Sequence, residues 1–268
     1  MWEPFPARIG QSEAGAGESV LPEDCTRGVL VMGGGNMRGQ HDSETRPEIL
    51  APVGGGAAVA HSTGLTRDGF GVLRAIQESS IGPGEGLEVH MHRDVEILTF
   101  VVEGTLEHRD SLGDDVILRH GDVQRLSAGT GVFQAECNYS AVAPVRFVQA
   151  WVVPRRPALP PCCQMRHFPE TERSGRLRLV AAPDGRDGAV TVHSDLDAYS
   201  SVLAPRAALA YTPAAGRMAW LHVVSGEISA NGHRHAAGEG CAVPAGGNLQ
   251  VEAVSRAELL LFEVPAAS

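Results

Sequence analysis

An all-β fold, present in two copies, is what this sequence predicts, and three observations predict it. The 268 residues include 32 Gly and 17 Pro, with 43% hydrophobic but only 5% aromatic residues. Such frequent punctuation suits short strands joined by turns better than long helices. From Gly71 onward the apolar runs are short, β-branched or alternating, and bounded by turn residues. A glycine framework then recurs. Val101-Val102-Glu103-Gly104 matches Val223-Val224-Ser225-Gly226, and Gly121 followed after five residues by Ser127-Ala128-Gly129 matches Gly238 followed after five by Pro244-Ala245-Gly246.

Residues 1–45 stand apart. Gly33-Gly34-Gly35 and the polar run 38–46 show little periodicity, so an N-terminal extension, partly disordered, is expected there. Gly33-Gly34-Gly35-Asn36 lacks the Lys-Ser/Thr of a phosphate loop and is not read as one. The first strand set is expected at 72–76, 88–92, 96–102, 105–108, 116–119, 122–126 and 145–152, with turns at 110–114 and 120–122. A further strand must carry Gln134 and Glu136. A Pro-rich stretch at 155–161 separates the halves. The second set is expected at 177–182, 190–194, 198–203, 209–212, 218–224, 227–230, 241–244, 249–253 and 257–264, and Asn231-Gly232 marks a hairpin because both residues tolerate positive φ. The expected organisation is therefore an extension (1–45), a first barrel (46–156), a linker (157–164) and a second barrel (165–265).

Composition also excludes function classes. A formal net charge of -10 argues against nucleic acid or an anionic membrane as a direct partner. No apolar run approaches the ~18 residues of a membrane helix, and Met1-Trp2-Glu3-Pro4 lacks the basic-then-apolar plan of a signal peptide. Cys25, Cys137, Cys162, Cys163 and Cys241 are odd in number and never spaced as CxxC, which predicts reduced thiols and a cytoplasmic protein.

The chemistry concentrates in His90-Met91-His92. Two histidines two apart on a strand share a face, as do Gln134 and Glu136 on a later one. Together they form a two-plus-two donor set for one divalent metal. Neutral imidazoles with one carboxylate suit Fe(II), Mn, Co, Ni or Cu. Counted from the repeated glycines, the equivalent positions in the second copy are Thr212, Ala214, Val251 and Ala253, so the fold is duplicated and the donor set is not. Glu96, four residues after His92, shares its face and either supports the ligands or serves as a structural carboxylate of the barrel. Glu107-His108-Arg109-Asp110 reads as a salt-bridged strand end, His233 and His235 as exposed residues beside a turn, Met91 as core, and Cys137 as off the ligand face.

These residues resemble the pirin family of bicupins, in particular its bacterial quercetinase-like branch. The resemblance is carried by Gly84 to His92, by Glu103-Gly104-Thr105-Leu106-Glu107-His108-Arg109-Asp110-Ser111-Leu112-Gly113, by Gly121 to Val132, and by Pro183-Asp184-Gly185-Arg186-Asp187-Gly188. It implies two cupin barrels in tandem, with one metal in the first. The ligands it implies are His90, His92, Gln134 and Glu136. The family has a third histidine where Gln134 stands, Pro where Met91 stands, an aromatic residue where Cys137 stands, and an aromatic-rich segment where 54–71 contains only Phe70. The implied activity is a dioxygenase acting on an aromatic or enolic small molecule, with Glu136 as base and one divalent transition metal. Fe(II) is the first choice, and Mn, Ni, Co, Cu or Zn are alternatives. Two other classes stay open. One is a redirected cupin catalysing a cyclisation, isomerisation or lyase step, and the other is a regulatory binding protein. A monomer or a homodimer is expected.

Overall fold

Residues 59–62 and 69–266 are described in the computed structural model of this chain, and the extension expected over 1–45 lies outside the described residues. The first half forms β1 (Val59–Ser62), β2 (Leu73–Ile81), β3 (Gly86–His92), β4 (Glu96–Glu103), β5 (Thr105–Asp110), β6 (Asp115–Arg119), β7 (Asp122–Ser127), β8 (Val132–Asn138), β9 (Val145–Val152) and β10 (Cys162–His167). These build a six-stranded sheet in the order β1-β2-β9-β4-β7-β10 and a four-stranded sheet in the order β3-β8-β5-β6.

The second half repeats the plan. It contains β11 (Arg178–Ala182), β12 (Val190–Thr191), β13 (Asp197–Leu203), β14 (Ala208–Tyr211), β15 (Arg217–Ser225), β16 (Glu227–Ala230), β17 (His233–Ala236), β18 (Gly240–Val243), β19 (Leu249–Ala253) and β20 (Ala257–Pro265). Its sheets run β12-β11-β13-β20-β15-β18 and β14-β19-β16-β17. The fold is all-β, two cupin barrels in tandem. Among the described residues no helix is long and apolar enough to cross a membrane.

The repeated glycines are a backbone requirement. Gly104 and Gly226 both sit at positive φ, +79 and +81. A Cβ on Gly104 would lie 2.6 Å from the Pro144 carbonyl oxygen, and one on Gly226 would meet the Arg256 carbonyl oxygen and come within 2.8 Å of Ala257 Cα. The same strand-to-strand close approach is thus built twice, and only glycine fits it.

Alternation along β20 explains how the halves join. Leu259 and Leu261 enter the interior of the second barrel with Leu221, Ile228 and Val251. Leu260, Phe262 and Val264 face the other way and pack with Leu98, Phe100 and Val148 of the first barrel. A sheet buried on both faces reads as a continuous apolar run, which is what Leu259-Leu260-Leu261-Phe262 is. At about 1.5–3 kcal/mol for each large apolar side chain removed from water, this shared core favours one folding unit over two independent barrels.

One expected boundary is corrected. Residues 162–167 do not divide between a linker and the second barrel. They form β10, which pairs with β7 from Cys162↔Ser127 to His167↔Asp122. The free edge of β7 supplies the backbone partners that a connector would otherwise have to find in solvent.

Candidate metal centre

Three neighbouring strands of the four-stranded sheet build the site. β3 pairs with β8 so that His90 lies opposite Gln134, Met91 opposite Phe133, and His92 opposite Val132. β8 pairs in turn with β5, placing His108 opposite Glu136 and Asp110 opposite Gln134. Directly opposed residues on one face hold their Cβ atoms ~5 Å apart, close enough for side chains to meet. His92 (7% exposed), Gln134 (1%) and Glu136 (1%) are buried, and His90 is half-buried. Met91 does point away from them, but it is 50% exposed rather than core. It lies across from the equally exposed Phe133 on the solvent face of the sheet, so its apolar character brings no burial.

The two imidazoles converge. His90 Nδ1 lies 2.8 Å from the Glu88 carbonyl oxygen. A carbonyl only accepts, so Nδ1 carries the proton and Nε2 keeps its lone pair. Gln134 Nε2 lies 3.1 Å from Nε2 of both His90 and His92, an amide donating to two imidazoles at once. The rings meet edge to face at 4.7 Å, and His92 stands edge to face with Trp151 at 4.9 Å. Burial, reinforced by His90 and then His108, lowers the His92 pKa to about 3. This imidazole is therefore neutral at ordinary pH, the form in which histidine binds metals.

Glu136 completes the cluster. Its Oε1 accepts a hydrogen bond from Gln149 Nε2 at 2.6 Å, while Oε2 is buried with no hydrogen-bond partner. Burial raises its pKa, and His108, His90 and the Gln149 hydrogen bond only partly oppose that. Two imidazole lone pairs turned toward one amide, beside an unpartnered buried carboxylate oxygen, are donors that fit a divalent transition metal. The donors are not drawn tightly together. Among the described residues, the one group of three His, Cys, Asp or Glu donors within 4.8 Å of one another is Asp110, Asp114 and Cys163. That group is a poor cation site. Burial above all pushes the Cys163 thiol up to about 12, and Asp110 is already occupied by Leu112 N–H, Asp114 N–H and His108.

The remaining sequence expectations divide. Glu107 and Arg109 form the expected ion pair, 2.7 Å long. His108 and Asp110, between and beyond them, turn inward and are 1% and 4% exposed. The sequence reading missed both. The period-two phase shared by Leu106, His108 and Asp110 was the available signal. Glu96 is not a support for the ligands. Its carboxylate accepts from His193 N–H, Ser127 Oγ and Ser194 Oγ, tying the barrels together. His233 and His235 lie on β17, where His233 is exposed, as expected, and His235 is half-buried. In the second barrel Val251 and Ala253 belong to the apolar interior.

A tandem cupin with metal-type donors in one barrel is the class that fold and cluster define. Comparison with known proteins bears out the tandem cupin. The Pirin family matches residues 57–152, and the Quercetinase C-terminal cupin domain matches 179–264. Quercetin 2,3-dioxygenase of Escherichia coli (strain K12) is 36% identical over 197 residues, covering 74% of this chain and 84% of the relative. A putative quercetin 2,3-dioxygenase of Pseudomonas aeruginosa, PA1210, is 37% identical over 199 residues, covering 74% and 85%. Among solved structures, YhhW from Escherichia coli superposes with a TM-score of 0.73 at 32% identity, covering 80% of this chain and 94% of that one. The bacterial pirin YhhW in complex with nickel(II) gives 0.72 at 32% identity, covering 80% and 95%. The chain belongs to the pirin family.

Proposed function

We propose that this pirin is a metal-dependent cupin dioxygenase acting on an aromatic or enolic small molecule of the flavonol kind, with His90, His92, Gln134 and Glu136 as its working residues. One observation carries the reading. The unpartnered buried Oε2 of Glu136 shares the barrel interior with two imidazole Nε2 atoms that meet at Gln134. The names of its relatives, quercetin 2,3-dioxygenases, support the same chemistry.

His90 and His92 are neutral nitrogen donors. Gln134 either turns its amide oxygen to the ion or keeps its N–H groups for the substrate. When bound there, a divalent transition metal supplies Lewis acidity and a route for electrons to O2, with Fe(II) the first choice and Ni, Mn, Co, Cu or Zn to be compared. Glu136 takes the proton of the substrate hydroxyl. Its pKa is raised by burial, which makes it a better base than a solvated carboxylate. Gln149 fixes one carboxylate oxygen and leaves the other for that transfer. Every one of these donors comes from one chain, so a monomer suffices.

The test is to load the protein with each ion and follow O2 uptake with flavonols, catechols and enolised diketones. Uptake by the parent and none by Glu136→Ala is the expected result. Glu136-dependent conversion without O2 would instead mean a redirected, non-oxidative cupin. No Glu136-dependent conversion of any kind would mean a binding protein.

A further inference from the structure

We propose that His108 is a metal donor, supplying through Nδ1 the third imidazole that position 134 lacks. The inference rests on the metal-centre reading above and extends it to a third strand. β5 alternates, so Leu106, His108 and Asp110 enter the barrel while Glu107 and Arg109 turn outward. The register then sets His108 directly across from Glu136.

The pairing with Asp110 decides what His108 offers. His108 Nε2 lies 3.2 Å from Asp110 Oδ2, and Asp110 Oδ1 is held by the backbone N–H groups of Leu112 and Asp114. An ionised carboxylate only accepts, so Nε2 carries the proton and Nδ1 of the neutral ring is left with its lone pair. That Nδ1 is buried and has no hydrogen-bond partner, and the same is true of Glu136 Oε2 on the residue opposite. Neither of these opposed groups has a hydrogen-bond partner in the barrel, and a cation shared between them satisfies both. A carboxylate that fixes the tautomer of an imidazole, leaving its second nitrogen free, is the usual support for a metal-binding histidine. Gln134 then has a different task. Its Nε2 donates to both imidazoles and holds their lone pairs until the ion displaces it.

The experiment is titration of metal-free full-length protein with Co(II) and Cu(II). Affinity and stoichiometry are measured, and the nitrogen donors are counted by electron paramagnetic resonance of the Cu(II) form. The parent is expected to bind one ion through three imidazole nitrogens. His108→Gln keeps an amide within reach of Asp110 and should show two nitrogens and at least 10-fold weaker binding. His108→Asn places an oxygen near the position of Nδ1 and should also show two nitrogens, with a smaller loss of affinity. It keeps the nitrogen count readable if the first variant fails to fold. Asp110→Asn should weaken binding by about 10–100-fold with the count unchanged, and Gln134→Ala should leave three nitrogens. Parent-like affinity and three nitrogens in both His108 variants overturn the role of His108 while leaving the metal centre standing. A parent that binds no ion, or binding that survives His90→Ala with His92→Ala, overturns both.

Discussion

Gln134 puts an amide where a donor of electron pairs is wanted. Its Nε2 occupies the lone pairs of His90 and His92, so an incoming ion must first displace two hydrogen bonds. Gln134→His removes that competition and adds an imidazole at the point where the two rings converge. Metal affinity should rise at least 10-fold, on the order of 1.4 kcal/mol, as read by competition with a chelator. Binding no tighter than in the parent would show that position 134 does not reach the ion. Glu136→Ala should abolish turnover while thermal unfolding still reports a folded barrel, because the core is held by apolar strands such as those of Leu106, Leu118 and Phe147. Loss of cooperative unfolding in that variant would refute the separation of chemistry from stability. His90, His92, Gln134 and Glu136 were legible in the sequence because each pair is two apart on a strand. His108 and Asp110 are also two apart, but the charges of Glu107 and Arg109 beside them make the whole segment read as a salt-bridged strand end and mask its inward face.

At the level of elements, turns and duplication were easier to read than edges. Gly104 and Gly226 mark the same close approach in both barrels, and their positive φ explains why matching tetrapeptides recur 122 positions apart, from 104 to 226. Gly226→Ala would bring a methyl group against the Arg256 carbonyl oxygen in a backbone conformation that alanine resists. A loss of about 2 kcal/mol or more in unfolding free energy is expected, measured by urea titration. A change within ~0.5 kcal/mol would mean that the turn relaxes freely and that the repeated glycine is no constraint. β10 escaped the sequence reading for a different reason. Cys162-Cys163-Gln164-Met165 has neither alternation nor a turn signal of its own, and it is a strand because β7 offers it an edge. Pairing of that kind is decided by tertiary context rather than by local pattern.

The whole molecule depends on carboxylates that cross from one barrel to the other. Glu78 meets His222 at 2.9 Å, Glu96 receives His193 and Ser194, and Glu258 lies 2.9 Å from His120 and 2.5 Å from Arg173. Burial by itself would raise the pKa of Glu258, but His120 and Arg173 outweigh it and leave the net value below the ordinary 4.5. Glu96 behaves alike, with burial outweighed by hydrogen bonds from His193 and Ser127. A carboxyl group more acidic in the folded than in the unfolded chain stabilises the fold above its unfolded pKa, and that stability disappears as pH falls through the folded value. Unfolding free energy should therefore decline with acid below about pH 4.5. Glu258→Gln should cost about 3 kcal/mol near neutrality, because it leaves the buried Arg173 without its counter-charge. It should also make the acid decline shallower, since one of the titrating groups is gone. Urea titrations of parent and variant across the acid range decide the point. Curves that stay parallel would mean that Glu258 is protonated equally in both states and that this contact joins the barrels by shape alone.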